Sequence, residues 1–438
     1  MNSSVWRMAV WAAVMVMLST MLTGCASLLR TRVGKDDFSV VAGKLKKGGK
    51  DFTIKAIRVP GLAKGGGTLE TMVPAMARIA EVGGNVVCFD LIGFNENGTA
   101  LDPAVVETIA TIAARAKDQR MGAMLRVAGD ASDLTFRRKA VQTAARVLRA
   151  QGLAVYWFDG PDADDLARRF KKAAPNLVVA APQAGDLTVT RTPPTQDPGH
   201  LTLLADAMPD FETMAHVHFV LPGRDSDYPA LDAALTRPEE KAPWTPDNSM
   251  LSEDERNEGF VSLFNGRDLD GWWFFGDNKE GFRVNEQGWI EWVMTGGGAL
   301  YSRERYDNFI LRLEWMVRDE GANSGVYLRA PRDARQSKIG IEFQIMGDPG
   351  IEPTKTSTGA VYDVLPPLVN AGNPIGEWNA VEIIFNGPHL KATLNGHLVQ
   401  DVNFDAHEEL RHRLRRGFIG LQDHNNYVAF RNIRIKKL

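Results

Sequence analysis

The sequence predicts two folded blocks of different class: an α/β block, either a shortened TIM-like barrel or an open parallel sheet, followed by an all-β sandwich or jelly roll. Three observations carry this. The chain has 438 residues, enough for two or three domains at roughly 150 residues each. Between residues 52 and 224, apolar strand-like runs alternate with amphipathic helical ones. From residue 260 onward the helical period disappears, and short runs of β-branched and aromatic residues alternate with polar ones between Gly and Asn.

Composition narrows the function classes. The chain is 44% hydrophobic and 24% charged, which excludes a disordered, collagenous or polytopic membrane protein. Lys and Arg number 51 against 54 Asp and Glu, so the net charge of -3 gives no global electrostatic basis for nucleic-acid binding. The two cysteines, Cys25 and Cys88, are too few for a disulfide framework.

The N-terminus reads as an address. Arg7 forms a small basic region, and residues 8 to 22 form an uncharged apolar run. That run is short of the ~20 residues a spanning helix needs. Leu22-Thr23-Gly24-Cys25 follows, and it resembles a bacterial lipoprotein signal over residues 1–24, with Cys25 lipidated. Ala26 resembles a signal for outer-membrane retention. The expected location is therefore the cell envelope, at the outer membrane or in the periplasm, with the membrane reached through a lipid anchor. Cys88 sits in an apolar run and reads as a small core residue.

The α/β block is placed at residues 38–235. Its strands are expected at 52–59, 85–94, 121–127, 154–159, 177–181 and 216–222, and its helices at 69–81, 103–119, 135–150 and 164–173. Thr68 and Asp102-Pro103 are N-terminal caps, and Gly83 and Gly152 end two helices. Apolar strands alternating with helices imply a parallel sheet covered by helices. Acids or Arg recur where strands end, at Asp90, Arg126, Asp130, Asp159, Asp186 and Asp225. Ligands bind at that end of parallel α/β folds, but turn chemistry also uses Asp there. A second active site, a glycan-binding barrel and a mere scaffold all remain open.

Residues 236–257 are rich in proline and charge, and a linker is placed at 236–250 before a domain at 251–438. Strands are expected at 288–293, 308–317, 325–329, 339–345, 380–385, 390–394, 417–422 and 427–436. Asn395-Gly396 between two of them signals a type I′ hairpin.

This block carries an ordered set of motifs. They run from Leu263-Phe264-Asn265-Gly266-Arg267 through Ala322-Asn323-Ser324-Gly325-Val326-Tyr327-Leu328-Arg329 to Ile341-Glu342-Phe343-Gln344-Ile345. Thr358-Gly359-Ala360-Val361-Tyr362, Gly376-Glu377-Trp378-Asn379 and Gly420-Leu421-Gln422-Asp423-His424 follow. The series resembles the bacterial 3-keto-disaccharide hydrolase (3-keto-glycoside hydrolase/lyase) domain family. The resemblance implies a concanavalin-like jelly roll that acts on a carbohydrate. One departure is Asn425, where the family usually has Gly after the His; Asn tolerates the same left-handed backbone.

Strand alternation sorts the side chains. Glu342 and Gln344 share one face, as do Tyr327 with Arg329 and Gln422 with His424, while their apolar neighbours face the core. Such a face suits sugar hydroxyls, with Gln344, Tyr327, Gln422, Asn323 and Trp378 as substrate contacts. Glu342 has no second carboxylate at i+2 or i+4 within its strand, which disfavours an ordinary paired-acid glycosidase. A 3-keto sugar needs less. Its carbonyl acidifies the C2 hydrogen, so one base and one oxyanion partner permit elimination of the C1 substituent, and water then adds back. His424 or Glu342 is the base, Arg329 the enolate partner, and Glu342 with His424 can hold a divalent cation that polarises the ketone. No cofactor beyond that cation is called for. The competing reading is a non-catalytic carbohydrate-binding jelly roll on a glycosidase-like α/β domain.

Other features read as structural. The basic cluster Arg411, Arg413, Arg415 and Arg416 reads as a solvated surface, the tryptophans Trp272, Trp273, Trp289 and Trp292 as packing, Gly65-Gly66-Gly67 as a flexible turn, and the pair His216 and His218 as structural.

Overall fold

The computed structural model describes residues 37–42, 44–59, 62–63, 69–127, 133–160, 162–190, 200–203, 218–222, 228–236, 238–241, 244–275, 281–293 and 298–438. The signal segment with Cys25, the cap Thr68, the turn Gly65 to Gly67, and Asp130, His216 and Asp225 lie outside these residues. Among the described residues, no helix is long and apolar enough to cross a membrane.

The chain divides into two units, Met1–Phe52 and Thr53–Leu438. The described part of the first is an antiparallel meander of β1 (Phe38–Val41), β2 (Lys44–Lys47) and β3 (Lys50–Asp51). Within it, the rings of Phe38 and Phe52 meet edge-on at 5.3 Å.

The second unit opens with a closed barrel of eight parallel strands. They are β4 (Lys55–Arg58), β5 (Val86–Asp90), β6 (Gly122–Val127), β7 (Val155–Phe158), β8 (Val179–Ala181), β9 (Leu187–Thr190), β10 (His200–Leu203) and β11 (His218–Pro222). Phe219 of β11 pairs back onto Lys55 of β4, and this closure decides between barrel and open sheet. Two strands, β9 and β10, escaped the sequence reading. They are four residues each, and no helical pattern sets them off.

The helices α1 (Leu69–Glu81), α2 (Pro103–Asp118), α3 (Leu134–Leu148) and α4 (Ala163–Ala173) match their periodicity. Asp102 accepts from the Ala104 amide at 2.9 Å, with Pro103 at the first helical position. α2 buries Ile109, Ile112, Ala113 and Ala116, the i, i+3, i+4, i+7 stripe expected of a helix lying on a sheet.

Short helices follow: α5 (Tyr228–Ala234), α6 (Pro238–Lys241) and α7 (Glu253–Glu258), the last started by a Ser252–Glu255 capping box. The rest is a jelly roll of two antiparallel sheets. An eight-stranded sheet holds β14 (Phe282–Val284), β15 (Ile290–Trp292), β24 (Val428–Lys437), β17 (Phe309–Val317), β20 (Asn379–Asn386), β21 (His389–Leu394) and β22 (His397–Asn403) in that order, with β12 (Val261–Ser262) also on β24. A five-stranded sheet holds β13 (Trp272–Phe275), β16 (Gly298–Tyr306), β23 (Gly417–Asp423), β18 (Asn323–Ala330) and β19 (Ile341–Met346). Asn395 and Gly396 make the tight turn between β21 and β22 with φ of 49° and 84°, as a type I′ hairpin requires. Leu300, Val326, Phe343 and Leu421 from the five-stranded sheet meet Leu311, Trp315 and Ile383 from the other in one apolar core.

The segment between β18 and β19, which contains α8 (Gln336–Ile339), docks on the barrel. Ala334 and Ile339 join the barrel's own apolar cluster. Lys55 at the start of β4 binds Asp333 at 3.0 Å, and Arg335 donates its backbone N–H to the Gln119 carbonyl and its side chain to Asp118. These barrel groups lie at the N-terminal ends of strands, so the jelly roll covers that end of the barrel. Its fully buried Arg332 holds Glu240 of α6 through two hydrogen bonds of 2.8 Å and Asp232 of α5 at 2.7 Å.

Candidate functional site

The polar side chains of the five-stranded sheet gather on its outer face. Register places Tyr327 beside Glu342 and Gly325 beside Gln344. Tyr327 also faces Gly420, and Val326 faces Leu421, which brings Gly325 next to Gln422. Glu342 and Gln422 are thus two strands apart, yet the Gln422 amide comes near enough to pull the carboxyl's pKa down. Gly325 permits this. A Cβ there would lie 2.9 Å from Glu342 Oε1, so the carboxyl leans across the bare glycine. Gly420 plays the same part for the rings: a Cβ would meet Tyr301 at 2.9 Å and Tyr327 at 3.1 Å.

The cluster is buried. Glu342 is 4% exposed, Gln344 0%, Tyr327 6% and Gln422 8%. Gln422 Nε2 donates to Tyr327 Oη at 2.6 Å, and Gln344 Nε2 donates to Asn323 Oδ1 at 3.1 Å. Among the described residues, the amide oxygens of Gln344 and Gln422 accept nothing. A buried acceptor left empty costs about 1–3 kcal/mol, and two of them beside a carboxyl can accept from hydroxyl groups.

Burial raises the Glu342 carboxyl to about 8, against the opposing pull of the Gln422 amide and of Arg335 and Arg120. Burial, reinforced by Glu342 and Tyr301, also pushes the Tyr327 hydroxyl well above its usual value and keeps it a proton donor. Arg120 belongs to the barrel, in the turn after α2, so the α/β block adds positive charge to the jelly-roll site.

Two expectations are corrected. Arg329 does not share the Tyr327 face. Its φ is +51°, and the β18–β23 register slips between Tyr327 and Ala330, so a bulge turns the side chain away. It is fully buried, donating to the carbonyls of Asp307 at 2.8 Å and Gly387 at 2.9 Å, with its guanidinium 4.1 Å from the Phe385 ring centroid. Alternation holds only while pairing is regular, and a bulge resets it. Trp378 also lies elsewhere. It packs edge-on against Trp289 at 4.9 Å and under the guanidinium of Arg431 on the eight-stranded sheet. Among the described residues, no three His, Cys, Asp or Glu groups converge. His424 follows the end of β23 and is exposed at the rim, two residues or about 7 Å along the chain from Gln422.

Asn323, Tyr327, Glu342, Gln344 and Gln422 are brought together as the alternation implied. The sequence reading missed Gly325, Gly420 and Arg120. Gly325 carried a signal, since it occupies a position of outward parity between Asn323 and Tyr327, whereas Gly420 lies between Phe418 and Gln422. Arg120 carried none, because it comes from the other block. The motif Thr358 to Tyr362 also finds its place. It runs beside β19, where Gln344 N–H donates to Ala360 O at 3.0 Å and Tyr362 N–H to Glu342 O at 3.0 Å, fixing the edge that presents the carboxyl.

Substituting Gly325 with Ala is expected to displace the Glu342 carboxyl from its place over the glycine, beside Gln422. Activity falls at least tenfold while circular dichroism and the melting temperature stay near wild type, because the clash is with the end of a flexible side chain. Full activity in G325A would remove the glycine from this role.

Fold and geometry together define an antiparallel jelly roll with a buried polar cluster on its outer sheet face. Residues 259–436 match the family model for the 3-keto-alpha-glucoside-1,2-lyase-like domain. A curated relative, a 3-keto-disaccharide hydrolase of Bacteroides thetaiotaomicron, is 27% identical over 230 residues, covering 41% of this chain and 79% of the relative. Two candidate glycosyl hydrolases of Parabacteroides distasonis ATCC 8503, known from crystal structures, also align. One is 26% identical with a TM-score of 0.39, covering 43% of this chain and 98% of its own. The other is 24% identical with a TM-score of 0.36, covering 41% and 99%.

Proposed function

We propose that the jelly roll cleaves the glycosidic bond of 3-keto-glycosides and 3-keto-disaccharides by elimination and hydration. The observation that carries this is Glu342, a buried carboxyl near neutrality beside a protonated phenol and two empty amide acceptors. The amide oxygens take sugar hydroxyls. The Glu342 carboxylate removes the C2 proton, and the electron pair moves into the C3 carbonyl as an enolate. Tyr327, whose oxygen already accepts from Gln422, donates its own proton toward that oxygen. This gives Tyr327 the oxyanion role that Arg329 is placed too far away to fill.

Collapse of the enolate restores the ketone, forms the C1–C2 double bond and expels the C1 oxygen. That oxygen takes up a proton and leaves as an alcohol. Water then adds, hydroxyl to C1 and hydrogen to C2, releasing the 3-keto-hexose. His424 at the rim, within a pyranose ring's reach of Gln422, serves the leaving oxygen and the incoming water. Incubation of the intact chain with a 3-keto-disaccharide, followed by mass spectrometry, should reveal free 3-keto-hexose or the unsaturated intermediate. Tight binding of unoxidised glycans with no such product would support a binding module instead.

The place of action proposed is the cell envelope, through lipidated Cys25, a reading supported by the apolar run and Leu22-Thr23-Gly24-Cys25. A mature protein whose mass lacks a lipid on Cys25 would end it.

A further inference from the structure

The barrel's C-terminal mouth lies at the opposite end from the docked jelly roll, and it carries a second polar cluster. Ile57, Phe89, Leu125, Tyr156 and Phe158 belong to the apolar layer under the helices. Strand alternation therefore turns Arg58, Asp90, Arg126 and Trp157 into the lumen, with Asp159 directly after β7. Arg58 grips Asp90 with two bonds of 3.1 and 2.8 Å. Arg126 bridges the two acids, reaching Asp90 at 3.3 Å and Asp159 at 3.0 Å. Its guanidinium lies 5.3 Å from the Trp157 ring centroid. Beneath this layer Cys88 and Met124 are fully buried and close the lumen.

Two donors in this layer are unspent. Trp157 is only 5% exposed, and neither its Nε1 nor Arg126 Nε finds an acceptor among the described residues. The tryptophan is independent of the ion pairs, and its buried, unanswered N–H calls for a ligand oxygen. The charges select the ligand class. Two Arg and two Asp sum to zero, and each Arg already faces a carboxylate, so among the described residues of this layer no surplus positive charge awaits an anion. Alternating donors and acceptors suit hydroxyl groups, which both give and receive. Arg126 fills the space between the two carboxylates where a scissile bond would have to sit, so the arrangement fits binding and not paired-acid hydrolysis.

We infer that the barrel mouth formed by Arg58, Asp90, Arg126, Trp157 and Asp159 is a carbohydrate-binding site, separate from the jelly-roll site and able to hold unoxidised glycan. The inference stands without the chemistry proposed for Glu342. The test is isothermal titration of the intact chain with unoxidised tetrasaccharides of glucose, xylose, mannose and galactose. At least one should bind wild type and Glu342→Gln alike, with affinity at least tenfold weaker in both Trp157→Phe and Asp159→Asn. The melting temperatures of these variants should stay near wild type, and their turnover of a 3-keto-disaccharide should be unchanged. The inference is overturned if no tetrasaccharide binds, if binding persists in both mouth variants, or if it is lost in Glu342→Gln. Binding of inorganic phosphate that both mouth variants abolish, with no glycan bound, would overturn the ligand class.

Discussion

Glu342→Gln lowers kcat/KM on a 3-keto-disaccharide by about 10²–10⁴-fold, the usual worth of a positioned proton-transfer group. The substitution keeps the side chain's shape and removes its ability to accept the C2 proton. The wild-type rate should rise as pH climbs through about 8, where the buried carboxyl ionises, and the variant's residual rate should lose that limb. Stability should change in the opposite sense. The folded carboxyl is raised from 4.5 to about 8, so its protonated form supports the fold fully below pH 4.5, and that support is lost as pH rises through 8. Glu342→Gln should therefore melt higher than wild type at pH 9, with the gap closing toward pH 5. Measured pH–rate and pH–melting curves check both. A variant with wild-type kcat/KM would eliminate Glu342 as the base.

Arg332→Met should destabilise the chain by about 3–5 kcal/mol, the cost of stripping a buried ion pair of one partner. Arg332 is 1% exposed, and the Glu240 side chain it grips is 5% exposed. Asp232 keeps Arg305 at 2.6 Å, but Glu240 would be left as a buried acid without its arginine. Because this network ties the jelly roll to α5 and α6, denaturant unfolding should show both a lower midpoint and a split into two transitions. The double variant Arg332→Met with Glu240→Leu should recover much of the loss, since it removes the buried carboxylate together with its arginine. A midpoint unchanged in Arg332→Met would show that the network holds little.

The two predictions concern groups of different legibility. Glu342 could be placed from its strand alone, because Ile341 to Met346 is regular and its parity holds. Arg332 could not, because its partners lie 92 and 100 residues earlier and no local pattern links them. The same division runs through the site. Gln344 and Gln422 follow their strands, whereas Arg329 departs from its strand at the bulge and Arg120 arrives from the barrel.

Sequence by itself determined the periods: four barrel helices, the Asp102-Pro103 start and the Gly83 and Gly152 stops, most strands, the Asn395-Gly396 turn, and the outward parity of Tyr327, Glu342, Gln344 and Gln422. Those features depend on neighbours within a few residues, and local sterics and burial fix them. Tertiary structure alone decided the closure of the barrel through β11 on β4, the reversal of Arg329, the contact of Glu342 with Gln422 across Gly325, and the charge layer at the barrel mouth. Each of these depends on which strands become neighbours, a long-range choice made by packing and strand pairing that no single segment encodes.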